Sequence, residues 1–543
     1  IKCLIICFIA EKVVPLGVKM QKMKYSSQYK QLVLDLSWTS LEGLPKDNRW
    51  VKLGDSLPWD KIEQIYNNRL NNKHGGAGNK SARIIIGALL IKHKMNLSDR
   101  ETIQAISENP YMQYMLGLSE FTPRPVFDPS LFVTIRKRLG EETFNDMSES
   151  LLKLEVKQAE EKARKQKEQE NDDSDEKHGS NVATSVTDQQ SPQQEGTSHQ
   201  GILKVDATCS DAEMRFPTDL DLLHDGVEIV DRVITRLCKI NKLPLPNTHL
   251  KEIHSKYLNV IKLRSKPKKK IKACMDYLLT KLYRNIVTFL NMAGKESNTL
   301  FNTLKPHDRQ LFMTVLKMYH QQKDMFIKGV HQCDHRIVSI FQPHVRPIVR
   351  GKAKAKVEFG GKIGASIVKG YTFIDHHSWE AYNECDDLMR HLRNYKKRFG
   401  YLPKKFEGDK IYMNRTNRRI LRLLKIEIGG KPLGRPSKDQ LTKEYQMEMA
   451  KNVGERNEVE ATFGTGKRVY NANDIRAKLP DTGKSWTAAC YFAKNVMKFL
   501  RGLLHDLFGT LLFLMERGFN LVMFEFQNLL VAKNLILTNN RYL

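Results

Sequence analysis

Arg456, Glu460 and Lys467 stand four and then seven residues apart within Arg456-Asn-Glu-Val-Glu460-Ala-Thr-Phe-Gly-Thr-Gly-Lys467. On a helix those offsets stack the three side chains on one face. A carboxylate between two cations suits a group that meets both a divalent metal and a phosphodiester, because the metal takes oxygen ligands and the cations take phosphate. Alone, the same trio describes any surface helix whose ion pairs contribute about 0.3–0.5 kcal/mol each. Two aspartates upstream sharpen its meaning. Asp206 ends the apolar run Ile202-Leu-Lys-Val-Asp206, and Asp409 ends the short run Phe406-Glu-Gly-Asp409. Each is expected at the C-terminal end of a buried strand, where strands deliver side chains to a site. Asp206, Asp409 and Glu460 would then hold two Mg2+ (or Mn2+) ions about 3.5–4 Å apart, an arrangement that activates an attacking water or hydroxyl and stabilises the leaving oxygen. Arg456 and Lys467 would orient or neutralise the phosphate.

Other acids compete for these roles. Asp211, Asp219 and Asp221 follow Asp206 closely, and Glu407 adjoins Asp409, but only Asp206 and Asp409 end the apolar runs. Glu458 lies two residues from Glu460, about 200° round a helix, so both cannot face one metal pair. Asp375 and His376 end another expected strand and read as structural. Gly464 and Gly466 are expected to end the Glu460 helix early, leaving Lys467 to approach from a loop.

With these residues in view, the chain resembles the DDE transposases of bacterial insertion sequences. The resemblance is carried by several separate words: Asp206-Ala-Thr with Arg215-Phe-Pro-Thr-Asp-Leu-Asp-Leu-Leu223; Pro343-His-Val-Arg-Pro-Ile-Val-Arg-Gly-Lys352; Trp379 with Ala381-Tyr-Asn-Glu384; Gly408-Asp-Lys-Ile-Tyr412 with Arg415 and Asn417-Arg-Arg419; and Pro432-Leu-Gly-Arg-Pro436. It runs from about Trp59 to about Arg501. It implies an RNase H-like catalytic domain with Asp206, Asp409 and Glu460 as its acidic triad. Arg456, Glu460 and Lys467 fit the Tyr-x2-Arg-x3-Glu-x6-Lys signature of related transposases, with Val453 in place of the tyrosine. The implied activity is metal-dependent cleavage at the ends of a mobile element, followed by attack of the freed 3′ hydroxyl on target DNA. An RNase H-like nuclease without strand transfer and an inactive DNA-binding derivative are the alternatives.

Composition agrees with a polyanionic partner. The 543 residues carry a formal charge of +28, and such a basic excess favours a nucleic acid over a membrane surface, which the resemblance narrows to double-stranded DNA. The eight cysteines form no Cys-x-x-Cys pair and read as reduced thiols of a cytoplasmic, nucleoid-associated protein. The resemblance adds a homodimer or higher oligomer on DNA. Residues 1–19 read as lying upstream of a start at Met20 or Met23, outside the fold. Residues 496–535 are apolar but broken by charges such as Arg501, Asp506 and Glu516, so residues 501–543 read as packed helices and not as a membrane span.

The positioning elements follow from pattern. Residues 59–155 are well-punctuated short helices, with a capping box at Ser98-Asp-Arg-Glu101, starts at Asn109-Pro110 and Asp128-Pro129, and stops at Gly117 and Gly140. They suit a helical DNA-binding domain, with Arg136, Lys137 and Arg138 toward phosphates. Residues 157–200 lack large apolar side chains and read as a charged helix fraying into a disordered linker. Cutting that linker is expected to leave two folded halves. Residues 201–500 form the catalytic domain, interrupted by a helical insertion over about 218–330 that contains the basic run Lys266-Pro-Lys-Lys-Lys270. The expected fold class is α+β or α/β: a mixed sheet flanked by helices, behind an all-α N-terminal domain.

Overall fold

The computed structural model describes residues 41, 43–70, 78–175, 199–294, 299–349, 357–429 and 443–503. The expectations for residues 1–19, for the linker over 176–198, for the 432–436 word and for residues 504–543 lie outside the described residues. The chain begins with helices alone: α1 (Arg49–Ser56), α2 (Trp59–Asn67), α3 (Ala82–Met95), α4 (Asp99–Glu108), α5 (Pro110–Met115), α6 (Leu131–Arg138) and α7 (Glu141–Asp175). The punctuation works as its chemistry dictates. Ser98 Oγ accepts from the Glu101 amide at 3.2 Å while the Glu101 carboxylate accepts from the Ser98 amide at 2.8 Å, so each satisfies an amide the helix leaves unpaired. Asn109 caps α5, whose first residue is Pro110.

Arg136 does not reach toward solvent with Lys137 and Arg138. It is buried and donates to both carboxylate oxygens of Asp99, at 2.9 and 2.7 Å. Lys92, 2 % exposed, reaches the same carboxylate at 3.0 Å. Burial pushes the Asp99 carboxyl up, but Arg136 and Lys92 overcome it and hold the group below the ordinary carboxylate range. This triad is structural, so any phosphate contact from α6 falls to Lys137 and Arg138, which are exposed.

After α7, strand β1 (Ile202–Asp211) enters the sheet, and five helices follow: α8 (Asp219–Asn241), α9 (Leu250–Ile261), α10 (Lys268–Gly294), α11 (Thr299–Thr303) and α12 (Pro306–Lys328). They bury a core of their own, in which Leu223, Val230 and Leu237 of α8 meet Leu282 and Phe289 of α10 and Phe312 and Val315 of α12. The insertion is therefore a folded body with its own apolar interior, which explains how it can separate two strands of one sheet.

The chain returns as β2 (Arg346–Val349), β3 (Val357–Val368), β4 (Tyr371–Ser378), α13 (Leu388–Phe399), β5 (Lys405–Gly408), α14 (Arg415–Leu423), β6 (Glu427–Gly429) and α15 (Lys443–Val469), with a last helix, α16, over 480–503. The order across the sheet is β2-β3-β1-β5-β6, with β4 also paired to β3. β1 runs antiparallel to β3 and parallel to β5, and β5 is parallel to β6. The β3–β4 turn uses Lys369 and Gly370 at φ +49° and +80°, the double left-handed geometry that suits the twist of a hairpin.

Two local expectations fail. β1 continues five residues past Asp206, through buried Ala207, Thr208, Cys209 and Ser210, to Asp211. Its small side chains allow close pairing with the Gly360-Gly361 end of β3. α15 also runs through Gly464 and Gly466 to Val469. A side chain at Gly466 would come within 2.6 Å of the Tyr491 ring of α16, so that glycine permits two helices to meet closely instead of ending one.

The sheet and the N-terminal helices share one core. Ile85, Ile91, Phe132 and Phe144 belong to the same buried cluster as Leu203, Ile363, Phe373 and Phe406, joined through Trp486, Tyr491 and Phe492 of α16. Polar ties reinforce the seam. Asn145 exchanges hydrogen bonds with the backbone of Ile374 at 2.7 and 3.1 Å, Asn495 bridges Ser148 to Thr372, and Lys498 pairs with Glu155 at 2.6 Å.

Candidate active site

The parallel pairing of β1 with β5 sets the geometry of the two aspartates. Its last pair places Val205 opposite Gly408, so Asp206 stands one residue farther along β1 and Asp409 just past the end of β5. Gly408 is fitted there: a side chain would meet Val205, Phe406 and Tyr412 at 3.1–3.2 Å. Across the antiparallel pair, Asp206 faces Ala365, whose single methyl leaves space beside the carboxylate.

Both acids are half-buried and hold local backbone bonds. Asp206 accepts from the Ala207 amide at 2.8 Å, and Asp409 accepts from the Lys410 amide at 2.6 Å, capping the short turn Lys410–Met413. Tyr412 in that turn is fully buried, and its hydroxyl has no hydrogen-bond partner among the described residues. Burial pushes the Tyr412 phenol well above its usual range, and the charges of Glu384 and Asp206, among others, push it further. That coupling marks an acidic neighbourhood reaching from Asp206 to Glu384, which pairs with Lys362 at 2.9 Å.

Glu460 lies exposed on α15, with Lys467 half-buried on the same helix seven residues on, nearly two turns away and on the same face. The Arg456 backbone belongs to α15; its side chain lies outside the described residues. Glu458, the rival acid, is committed elsewhere: its carboxylate meets Lys204 of β1 at 2.6 Å. Because Val459, Thr462 and Phe463 are buried between them, the Glu458 and Glu460 side chains flank opposite edges of the packed face of α15.

Asp375 is the most tightly held acid of the sheet. It is fully buried and accepts from His391 at 2.7 Å, Asn394 at 3.0 Å and Arg398 at 2.5 Å. Burial pushes its carboxyl up, yet Arg398 and His391 hold it far below the usual range. His376 pairs with Asp387 at 2.6 Å. These contacts tie Asp375 and His376 to α13 and to the turn before it. The segment around Arg215 lines a cavity of about 660 Å3 between the insertion and the end of β1, where Arg215 pairs with Asp225 at 3.1 Å.

Sequence reasoning quoted Tyr412 without giving it a role and passed over Lys204 and Lys362. Tyr412 had a usable signal, an aromatic three residues beyond Asp409. The two lysines had none, since each acquires its partner only when distant segments meet.

Two stretches of the chain match described families. Residues 39–138 match the family described as Transposase domain (DUF772), and residues 407–497 match the family described as Transposase DDE domain. The second match spans Asp409, Arg456, Glu460 and Lys467, while Asp206 lies before it. A curated relative, the "Uncharacterized protein ORF8 in nfe locus" of Rhizobium meliloti, is 29 % identical over 109 residues, covering 20 % of this chain and 50 % of the relative. The chain thus spans about half the length of the curated relative it matches. No solved structure matches. Among the described residues, no helix is long and apolar enough to cross a membrane.

Proposed function

This chain, carrying a transposase domain and a DDE domain, belongs with the DDE transposases of the insertion-sequence type, and we propose that it cleaves the DNA ends of its own element and joins them to target DNA. The observation that carries this reading is the β1–β5 register, which leaves Asp206 and Asp409 side by side past the Val205–Gly408 pair. The strand order, with β1 between an antiparallel β3 and a parallel β5, supports an RNase H-like catalytic domain.

The residues suit a hard divalent cation. Asp206, Asp409 and Glu460 offer carboxylate oxygens, the donors that Mg2+ and Mn2+ prefer. A pair of such ions would supply Lewis-acid activation of the attacking oxygen and charge relief at the leaving one. The chain's own residues do the rest. Asp206 and Asp409 are held by their backbone bonds at the sheet, Glu460 approaches from α15, and Lys467 on the same helix face offers a cation to the phosphate. Arg456, four residues before Glu460, is assigned the same phosphate role by its spacing. The engagement of Glu458 by Lys204 supports the choice of Glu460 as the third acid.

DNA recognition is assigned to the α1–α7 region and the exposed basic run at the start of α10, and a homodimer or higher oligomer would bring two element ends together. The decisive experiment uses DNA from either side of the coding sequence. Asp206→Asn and Asp409→Asn should each abolish Mg2+-dependent cleavage and joining while binding to end DNA persists, since these acids read no sequence. Cleavage undiminished in the bound fraction of either variant would refute the assignment. Joined products, assayed separately from cut ends, distinguish transposition from nuclease action alone.

A further inference from the structure

Apart from the DDE acids, three potential ligands converge within the insertion. His224 and Glu228 stand one turn apart on α8, and His254 comes from α9. His224 Nε2 lies 3.0 Å from His254 Nδ1 and 3.8 Å from Glu228 Oε1, and the three ligand atoms all fall within 4.8 Å of one another. We propose that these residues form a transition-metal site, selective for Zn2+, that clamps α9 to α8.

The donor set supports that choice. Two imidazole nitrogens and one carboxylate oxygen suit Zn2+, whereas the all-oxygen set of the catalytic acids suits Mg2+. Zinc–nitrogen bonds of about 2.0–2.1 Å in a tetrahedron set ligand atoms roughly 3.3 Å apart, so the two nitrogens need to open by a few tenths of an ångström and the Glu228 oxygen to close toward His224 by about half an ångström. The His224 ring is prepared for the role. It is buried, burial lowers its proton affinity, and the Tyr257 ring stacks on it at 4.0 Å and 15°. Tyr257 is itself fixed by donating its hydroxyl to Asp221. His254 is exposed, which leaves a fourth position open to water or an outside ligand.

The alternative is a plain imidazole–imidazole hydrogen bond with Glu228 nearby by helix spacing. The two differ in what the element needs. α9 buries only Ile253 and Tyr257, so a metal bridging it to α8 would add substantially to its attachment.

The test uses the full chain, stripped with a chelator and titrated with Zn2+ against a chromophoric competitor, with Co2+ as a spectroscopic substitute. One equivalent of Zn2+ should bind to the wild type and be lost, or weakened at least tenfold, in His254→Ala, whose exposed position spares the fold. His224→Gln should behave likewise, with circular dichroism unchanged. Zn2+ should raise the melting midpoint of the wild type but not of His254→Ala. Equal stoichiometry and affinity in wild type and His254→Ala, or an equal rise in both midpoints, would overturn the proposal. Asp206→Asn should keep this equivalent while losing Mg2+-dependent cleavage, so the zinc site and the DDE reading stand or fall separately.

Discussion

Asp375 shows how strongly one carboxylate can be tied into this sheet. Arg398 holds it ionised in a fully buried place, with His391 hydrogen-bonded beside it, so removing the charge strands the buried guanidinium. Asp375→Asn should cost about 3–5 kcal/mol at neutral pH, the range for breaking one side of a buried pair, read as a lower denaturation midpoint. Because the folded carboxyl titrates below its unfolded value of 3.8, its contribution is complete above that value and fades as pH falls toward the lowered one. The gap between wild type and variant should therefore be narrower near the unfolded value than at neutral pH. The two glutamates of α15 separate by a different readout. Glu460→Gln should abolish cleavage with stability intact. Glu458→Gln should keep cleavage and lose no more than about 1 kcal/mol, since its pair with Lys204 is 43 % exposed on the glutamate side. The reverse pattern would transfer the third acidic role to Glu458.

Helices and strands carry the next layer. The β3–β4 turn falls at Lys369-Gly370, a turn dipeptide between alternating runs, and Asp409 was legible because the β5 run is short and stops just before it. The reach of β1 was not, because Thr208, Cys209 and Ser210 look like ordinary loop chemistry until Ile363, Lys362 and Gly361 of β3 pair with them. The end of α15 was hidden for a similar reason: Gly466 reads as a stop signal locally, while Tyr491, 25 residues on, gives it a packing role. Gly466→Ala should accordingly destabilise by about 1–3 kcal/mol through overpacking, even though alanine is the better helix former; a raised melting midpoint would contradict the close approach. The basic run at α10 poses a question of sign. Lys268, Lys269 and Lys270 crowd a helix N-terminus, where cations oppose the helix dipole. Their presence there is explained if they meet phosphates. Replacing the three with alanine should weaken DNA binding and flatten its salt dependence by roughly one unit of slope for each phosphate no longer neutralised, measured by gel shift at several salt concentrations.

Across the chain as a whole, the insertion keeps a separate core while the N-terminal helices and the sheet do not. A fragment ending at residue 155 would leave Ile91, Phe132 and Phe144 without the α16 side chains that cover them. It should melt lower than the full chain, and co-expression with residues 199–503 should restore its stability; an isolated fragment as stable as the whole would show that the seam contributes little. The sequence marked the charge change after residue 157 as a boundary because composition reports local solubility. It does not report that α16, more than three hundred residues later, returns to close the first helices.

That closure sets a schedule for synthesis. Helices α3, α6 and α7 leave the ribosome long before α16, and at about 5–20 residues per second the interval is on the order of tens of seconds. Until then the faces around Ile91, Phe132 and Phe144 lack the α16 side chains that cover them in the folded chain. A message cut short before residue 480 would accordingly yield a half-closed product prone to aggregation, and not a smaller working binder.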